Sequence, residues 1–543
     1  MLGTLTTLDW IVIGGYLVGI MAFAVWLSLG QQSREDYYVG GRHVGAWPVA
    51  LSIMATQCST NSILGAPAFV AFAAGGGLVW LQYELAVPLA MIFLMLFAMP
   101  LFRHLKLVSV YEYLELRFDL KTRLVLSGLF LFVRAFATAV TVYSIALVID
   151  LITQVGFFWS VMLLGVFTVI YDIFGGIRGV IYSDVIQLLI LVAVLGLMLM
   201  MLANNAGGLD AMITTLAPER RQTLDFFHHG FGDGETFAFW PMLFGGLFLY
   251  VSYYGCDQSQ VQRTLSTESI DHTNKALLLN GFLRFPLVAL YCLVGVGLAV
   301  FATNHPQFID LLPSQNGEPE YNVAVPVYML NALPPGFVGL AMVALFAAAM
   351  SSLDSVINSL SATTMEDFVR RFHKGEWSDR KELWLSRWLT VFWGGVTLTL
   401  SFYVGDIAPT VLEAINKIGS LANGPILAVF VTGFFIQRVT GTAATLGLLL
   451  GIGFNGWCWL YLPEVSWLWW NPMGFMIAVL AALSLSYLLP VRGGTDSEGI
   501  HVDFDGHAWL ARESSINWRL RSLWLAGWFG VLLAMLWLVQ RAG

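Results

Sequence analysis

About fourteen stretches of this chain are long and apolar enough to cross a bilayer, and that repetition leaves it few other ways to fold. They fall near 9–29, 47–76, 79–102, 124–153, 157–177, 180–204, 237–259, 276–303, 335–367, 388–405, 408–437, 441–463, 468–490 and 522–540. A hydrocarbon core about 30 Å thick takes roughly 20 residues of helix. Inside it, each backbone donor and acceptor must be satisfied within the protein. Only 11% of the residues are charged and mean hydropathy is +0.73, whereas soluble domains carry about 25% charged residues. The expected fold is an all-α polytopic membrane protein, and a soluble enzyme is excluded.

The basic residues sort the loops. Of the 27 Lys and Arg, Arg134, Arg284 and Lys417 fall inside expected spans, and Arg220, Arg221 and Arg541 fall on one side. All the others, including Arg34, Arg42, Arg103, Lys106, Arg123, Arg263 and the cluster from Arg370 to Arg387, fall on the opposite side. By the positive-inside rule that side is cytoplasmic, so both termini face outward. The expected location is the plasma (inner) membrane. The N-terminus shows no basic n-region or cleavage site, so residues 10–30 read as a retained span. Cys58, Cys256, Cys292 and Cys458 are scattered singly, without metal or disulfide spacing. His228 and His229 read as surface groups of an outer loop. No basic cluster points to nucleic acid.

Three spans are unusually polar. Residues 338–368, VGLAMVALFAAAMSSLDSVINSLSATTMEDF, begin apolar and then carry Ser351, Ser352, Asp354, Ser355, Asn358 and Ser359. Ala348, Ser351, Ser352, Ser355 and Ser359 share one helical face. Such a stripe either bonds neighbouring helices or supplies oxygen ligands to a hard cation. The second span places Thr56, Gln57, Ser59, Thr60, Asn61 and Ser62 at mid-depth, followed by Gly65 and Pro67. The seventh contains Gly245 and Gly246 and ends in a tyrosine-rich exit. Interrupted helices five spans apart are the sequence sign of an inverted-repeat transporter, whose unwound backbone binds ion and solute at the midplane. The expected organisation is 1–46 as first helix and inner loop, 47–204 as first repeat, 205–236 as outer loop, 237–437 as second repeat and 438–543 as C-terminal helices.

Six motifs in order carry a family resemblance. They are EDYYVGGR at 35–42, SVYEYLELRF at 109–118, GGIRGVIYSDVIQ at 175–187, QVQRTL at 260–265, SSLDSVINS at 351–359 and NGPILAVF at 423–430. With them the chain resembles the sodium/solute symporters, which carry galactose, sialic acid, proline, monocarboxylates, vitamins or iodide. The resemblance implies a five-plus-five inverted-repeat core with interrupted second and seventh helices. It also implies a main sodium site from the backbone carbonyls of Ala55, Cys58 and Ala348 and the hydroxyls of Ser351 and Ser352. A second sodium site would use Asp184 and Ser355, with Asp354 where relatives place a hydroxyl. Asp184 is otherwise a cap or a salt-bridge partner.

For the solute, the resemblance points to Gln57, Asn61, Ser62, Glu84, Arg134, Tyr250, Tyr253, Arg284 and Asn416. Arg134 is either a carboxylate ligand or an internal partner of Glu84 or Asp354, and Tyr253 either a thin gate or ordinary packing. The implied activity is sodium-coupled uptake of a small organic solute by alternating access, with no bond chemistry and no organic cofactor. The expected partners are solute, sodium and lipid. A small carboxylate is favoured over a neutral sugar. Proton coupling, a transporter-like sensor and a channel are the readings from other classes.

Overall fold

The computed structural model describes residues 4–58, 60–315, 317–375, 377–404, 411–488 and 506–542, apart from the side chains of residues 60, 61, 315, 411–418, 507 and 542. Asn61 and Asn416, both expected in the solute pocket, therefore lie outside the described side chains. Among the described residues the regular elements are helices, apart from one short hairpin, Ser314–Gln315 against Glu318–Pro319, in loop 304–334. Nine helices among the described residues are long and apolar enough to cross a membrane.

Helix boundaries follow local chemistry. The first span, Thr7–Ser28, starts at a capping box: Thr6 and Asp9 each take a backbone N–H of the other, which satisfies donors the first turn leaves open. The fifth and sixth expected spans form one run, Phe157–Ala206, of 50 residues. Straight, it would measure about 75 Å, far more than a bilayer. Gly176, at φ 53, breaks it into two pieces of spanning length. A Cβ there would lie 2.8 Å from the Tyr37 carbonyl oxygen, so this position requires glycine.

The second span is interrupted where its polar residues cluster. It consists of Ala46–Gln57 and Thr60–Ala71, with Cys58 outside helical geometry at φ −81, ψ 58. The seventh is interrupted as well, but not at its glycine pair. The chain runs through a π-turn at Pro241–Gly245 into the helix Gly246–Cys256 and breaks at Asp257, which is extended at φ −93, ψ 121. Gln258–Leu265 follows, with its first turn capped by the Asp257 carboxylate on Ser259 N at 2.8 Å. Gly245 and Gly246 serve close packing instead. A Cβ at Gly245 would lie 2.4 Å from the Leu468 carbonyl oxygen, and one at Gly246 3.0 Å from the Tyr83 ring.

The helix with the serine stripe, Phe337–Thr363, is the most enclosed of the long elements and continues to Phe372. Its N-terminus is held by the buried Asp9 carboxylate, whose Oδ1 accepts from Gly336 N at 2.8 Å and Gly339 N at 2.7 Å. On the cytoplasmic side expected from the charge bias, its other end is tied by ion pairs. Arg123 meets Asp367 at 2.6 Å, Arg370 meets Glu366 at 3.0 Å, and Arg34 bridges Glu366 and Glu382. Loop 205–236, expected on the outer side, carries the short helices Leu209–Thr215 and Pro218–Arg221.

Candidate functional site

A cavity of about 1050 Å³ lies between the two interrupted helices. Its wall includes Gln57, Ser62, Glu84, Arg134, Tyr250, Tyr253, Arg284 and Ser352. At one end it reaches Phe237, Ser314, Asn322 and Trp467, which belong to the loops expected on the outer side and their neighbours. The basic loops on the opposite side contribute none of its lining among the described residues. This cavity therefore extends toward loop 304–334 and not toward the ion pairs.

The charged groups of the wall are paired with one another. Arg284 Nε donates to Glu84 Oε2 at 3.0 Å, with the side chains 6% and 2% exposed. Tyr250 Oη donates to Glu84 Oε1 at 3.1 Å, and Arg284 Nη1 to Cys58 Sγ at 2.9 Å. One guanidinium thus joins the break of the second span to the third. Arg134 pairs with neither Glu84 nor Asp354. Its partner is Asp257, the residue at the break of the seventh span, with Nε 2.5 Å from Oδ2. Its guanidinium carbon also lies 5.2 Å from the Tyr253 ring centre, a cation–π distance. Tyr253 Oη in turn accepts from Gln260 Nε2 at 2.8 Å. Gln57 accepts from Tyr254, and Ser62 Oγ donates to the Gln57 carbonyl at 3.3 Å.

The expected sodium ligands lie on facing elements. Ser352 Oγ donates to the Ala348 carbonyl at 3.2 Å and lines the cavity. Thr56, between Ala55 and Cys58, places Oγ1 3.4 Å from Ser355 Oγ. Cys58, outside helical geometry, still donates its N–H to the Met54 carbonyl at 2.9 Å, and the helix resumes at Thr60. Deeper in, Asp184 is fully buried. Its Oδ2 accepts from Ser52 Oγ at 2.6 Å and from Arg263 Nη2 at 3.2 Å. Ser355, expected as a ligand beside it, is otherwise engaged: its hydroxyl donates to the Ser351 carbonyl and accepts from Arg263.

Several oxygens around it lack partners among the described residues. They are Asp184 Oδ1, Asp354 Oδ2, Gln187 Oε1 and Ser351 Oγ, the last facing Asp184 without a well-formed hydrogen bond. Asp184 and Gln187 stand one turn apart on one helix, Ser351 and Asp354 one turn apart on the other. Gln187 Nε2 donates to Tyr16 Oη at 3.0 Å. Unpartnered buried oxygens are rare in folded proteins, and an oxygen-only set suits a hard cation. No cluster of three His, Cys, Asp or Glu fit for a metal occurs among the described residues.

Residues 37–451 match the model of the sodium:solute symporter family. The chain belongs to that family. It is 31% identical over 455 residues to a sodium/sialic acid symporter of Aliivibrio fischeri, covering 83% of this chain and 87% of that protein. It is 29% identical over 470 residues to a human sodium-coupled monocarboxylate transporter, covering 84% and 74%. A solved sodium-coupled sialic acid symporter, substrate-bound and outward-open, superposes with a TM-score of 0.80 at 26% identity, covering 89% of this chain and 98% of that one. A nucleobase-cation symporter with bromovinylhydantoin bound shares the fold alone, with a TM-score of 0.57 at 14% identity. These relatives are carriers, and this symporter is a multi-pass membrane transporter rather than an enzyme.

Asp257, Arg263, Gln187 and Tyr254 were not singled out from the sequence. Asp257 and Arg263 lie in the stretch YGCDQSQVQR at the expected end of the seventh span. Two unlike charges six residues apart near a membrane boundary were the available signal.

Proposed function

We propose that this symporter couples inward sodium flow to uptake of a small organic carboxylate by alternating access. In this reading the cavity is outward-facing, both termini lie outside the plasma membrane, and residues 47–204 and 237–437 are the two inverted repeats of a fourteen-span chain. Sodium binds the Ala55, Cys58 and Ala348 carbonyls with the Ser351 and Ser352 hydroxyls, and steadies the outward-facing arrangement. The solute then completes the pocket, and rocking of the repeats opens the inner side.

The solute class rests on Arg134. Its side chain is 24% exposed in the cavity wall, and Asp257 occupies only its Nε and Nη2 edge. A guanidinium has further donors, which meet a carboxylate in parallel hydrogen bonds. Arg284 is enclosed by Glu84, Tyr250 and Cys58, so Glu84 has little left for sugar hydroxyls. Gln57, Ser62 and Tyr253, with Asn61 and Asn416, would read the rest of the molecule. The test is sodium-driven uptake into proteoliposomes of a panel pairing sugar acids and short carboxylates with their neutral analogues. We expect the acids to be carried and Arg134→Gln to abolish the preference. Uptake of neutral sugars alone, insensitive to Arg134→Gln, refutes the carboxylate reading.

The unpartnered oxygens of Asp184, Asp354, Gln187 and Ser351 favour a second coupling cation. Sodium activation should then be sigmoidal, and Asp184→Asn should bring its Hill coefficient toward one. A hyperbolic wild-type curve with one sodium per solute rules the second ion out.

A further inference from the structure

A coupling cation must leave as well as arrive, and polar groups continue along the serine-striped helix beyond those that would bind it. Ser351, Asp354, Ser355 and Asn358 follow at helical spacing, so Asn358 lies about 10 Å below Ser351 along the axis. Asn358 is fully buried. Its Nδ2 donates to Asp172 Oδ1 at 3.1 Å, and its Oδ1 accepts from Gln262 Nε2 at 2.8 Å. Asp172 is fully buried too, four residues before the break at Gly176. Its Oδ2 has no partner among the described residues, and neither has Gln262 Oε1 on the far side of Asn358.

This carboxylate differs from most of those buried around it. Glu84, Asp184 and Asp367 each face a guanidinium. Asp172 forms no ion pair among the described residues, and its partner is an amide. A buried ionised carboxylate without a countercharge costs several kcal/mol, so such a group holds either a proton or a cation. Three elements meet around it: the fifth span, the serine-striped helix through Asn358, and the segment after the second break through Gln262.

Two tyrosines pack beside this group. Tyr37 Oη donates to the Asp172 carbonyl at 3.2 Å and shares a hydrogen bond with Thr390 Oγ1 at 2.9 Å. Tyr38 Oη pairs with Ser361 Oγ at 2.8 Å, and its carbonyl accepts from Gln262 at 2.7 Å. Their rings meet edge to face at 5.2 Å. Both are fully buried and belong to the short helix Arg34–Val39 in the first inner loop.

We propose that Asp172, with the amide oxygens around Asn358, is a release station for the coupling sodium, sealed from the cytoplasm by Tyr37 and Tyr38 in the outward-facing arrangement. Sodium would pass from the Ser351 region by the free oxygen of Asp354 to that of Asp172 and leave when the tyrosine pair parts. The inference rests on the sodium-symport reading.

The test measures radiolabelled sodium and solute fluxes of the full chain in proteoliposomes. In Asp172→Asn, sodium release to the inner side and maximal uptake should fall together by about 10-fold, equivalent to about 1.4 kcal/mol on the rate-limiting step. Half-saturation by outside sodium should stay at the wild-type value, and Asp172→Glu should recover part of the loss. Tyr37→Phe, which keeps the ring but loses both hydroxyl contacts, should speed sodium release. Wild-type release rates in Asp172→Asn overturn the proposal. So does an altered pH profile with unaltered sodium release, since the site would then hold a proton. If wild-type uptake is indifferent to sodium, the underlying reading fails first, a result visible before any variant is made.

Discussion

Glu84 distinguishes a structural charge from a solute ligand, and its replacement by glutamine separates the two. Its carboxylate is 2% exposed, takes Arg284 Nε at 3.0 Å and Nη2 at 3.4 Å, and accepts from Tyr250 Oη at 3.1 Å. Removing one partner of a buried pair costs about 3–5 kcal/mol, because the other charge stays buried and uncompensated. In Glu84→Gln the new amide keeps an oxygen for Tyr250, and Arg284 keeps its contact with the Cys58 sulfur at 2.9 Å. The lower end, about 3 kcal/mol, therefore applies, somewhat more than 100-fold in an equilibrium constant. Glu84→Gln should lower the thermal stability of the purified protein in detergent whether or not solute is present. Glu84→Gln combined with Arg284→Met should recover much of that loss, since no lone charge remains. The result that refutes this reasoning is a Glu84→Gln protein as stable as the wild type that has lost its solute. Glu84 would then be a ligand, and the sugar reading would regain its footing.

Ser352→Ala should raise the sodium concentration for half-maximal uptake several-fold. Among the described residues the hydroxyl's one hydrogen-bond partner is the Ala348 carbonyl at 3.2 Å, so stability should move by only about 1 kcal/mol. An unchanged sodium dependence removes Ser352 from the site. At the inner mouth, Glu112 lines a cavity of about 550 Å³ with Arg34, Arg42, Arg123 and Glu366. Burial pushes its carboxyl up to about 7, with Glu366 adding to the shift and Arg123 opposing it. Opening hydrates the group and returns it toward its ordinary value of about 4.3, so opening releases a proton. The closed inner face should lose support as internal pH rises from about 4.3 to 7, then level off. Glu112→Gln should flatten that response in an inner-side accessibility assay, and a wild type without the response contradicts it.

What was legible in the sequence were features that repeat or stand out along one element. The spans, the serine stripe and the interruption of the second span all depend on near neighbours in sequence. Partners across the fold were not legible. Arg134 was weighed against Glu84 and Asp354 as internal partners, but it reaches Asp257, 123 residues away, because the seventh span breaks where its last turn was expected. Gly245 and Gly246 suggested that break by composition, yet glycine also marks close helix approach, and Leu468 and Tyr83 fill the space a Cβ would need. Arg263 belonged to a motif without an evident role. Only the packed structure brings it to Asp184 and Ser355. Asp9 likewise read as the start of the first span, and its use as a cap on the serine-striped helix needs the two helices side by side.

The contacts of that helix suggest why one element can couple ion to solute. At its outer end it is fixed by the Asp9 carboxylate, and at its inner end by the pairs of Asp367 with Arg123 and Glu366 with Arg34 and Arg370. Between them, Ser352 faces the solute cavity while Asp354 and Ser351 present free oxygens on the side of Asp184. A cation held there would draw the break of the second span toward the helix and favour the arrangement in which both ends stay fixed. Losing the cation removes that attraction. Of the inner pairs, Arg123 with Asp367 is enclosed at 9% and 0% exposure, while those of Glu366 with Arg34 and Arg370 are partly open to water. Arg370 is 38% exposed and Arg34 18%, so solvent screens them as it does not screen Asp9, which is 1% exposed. If the inner end yields, the Glu366 pairs should part before the enclosed Arg123–Asp367 pair, and a cation leaving by Asp172 would depart through that end.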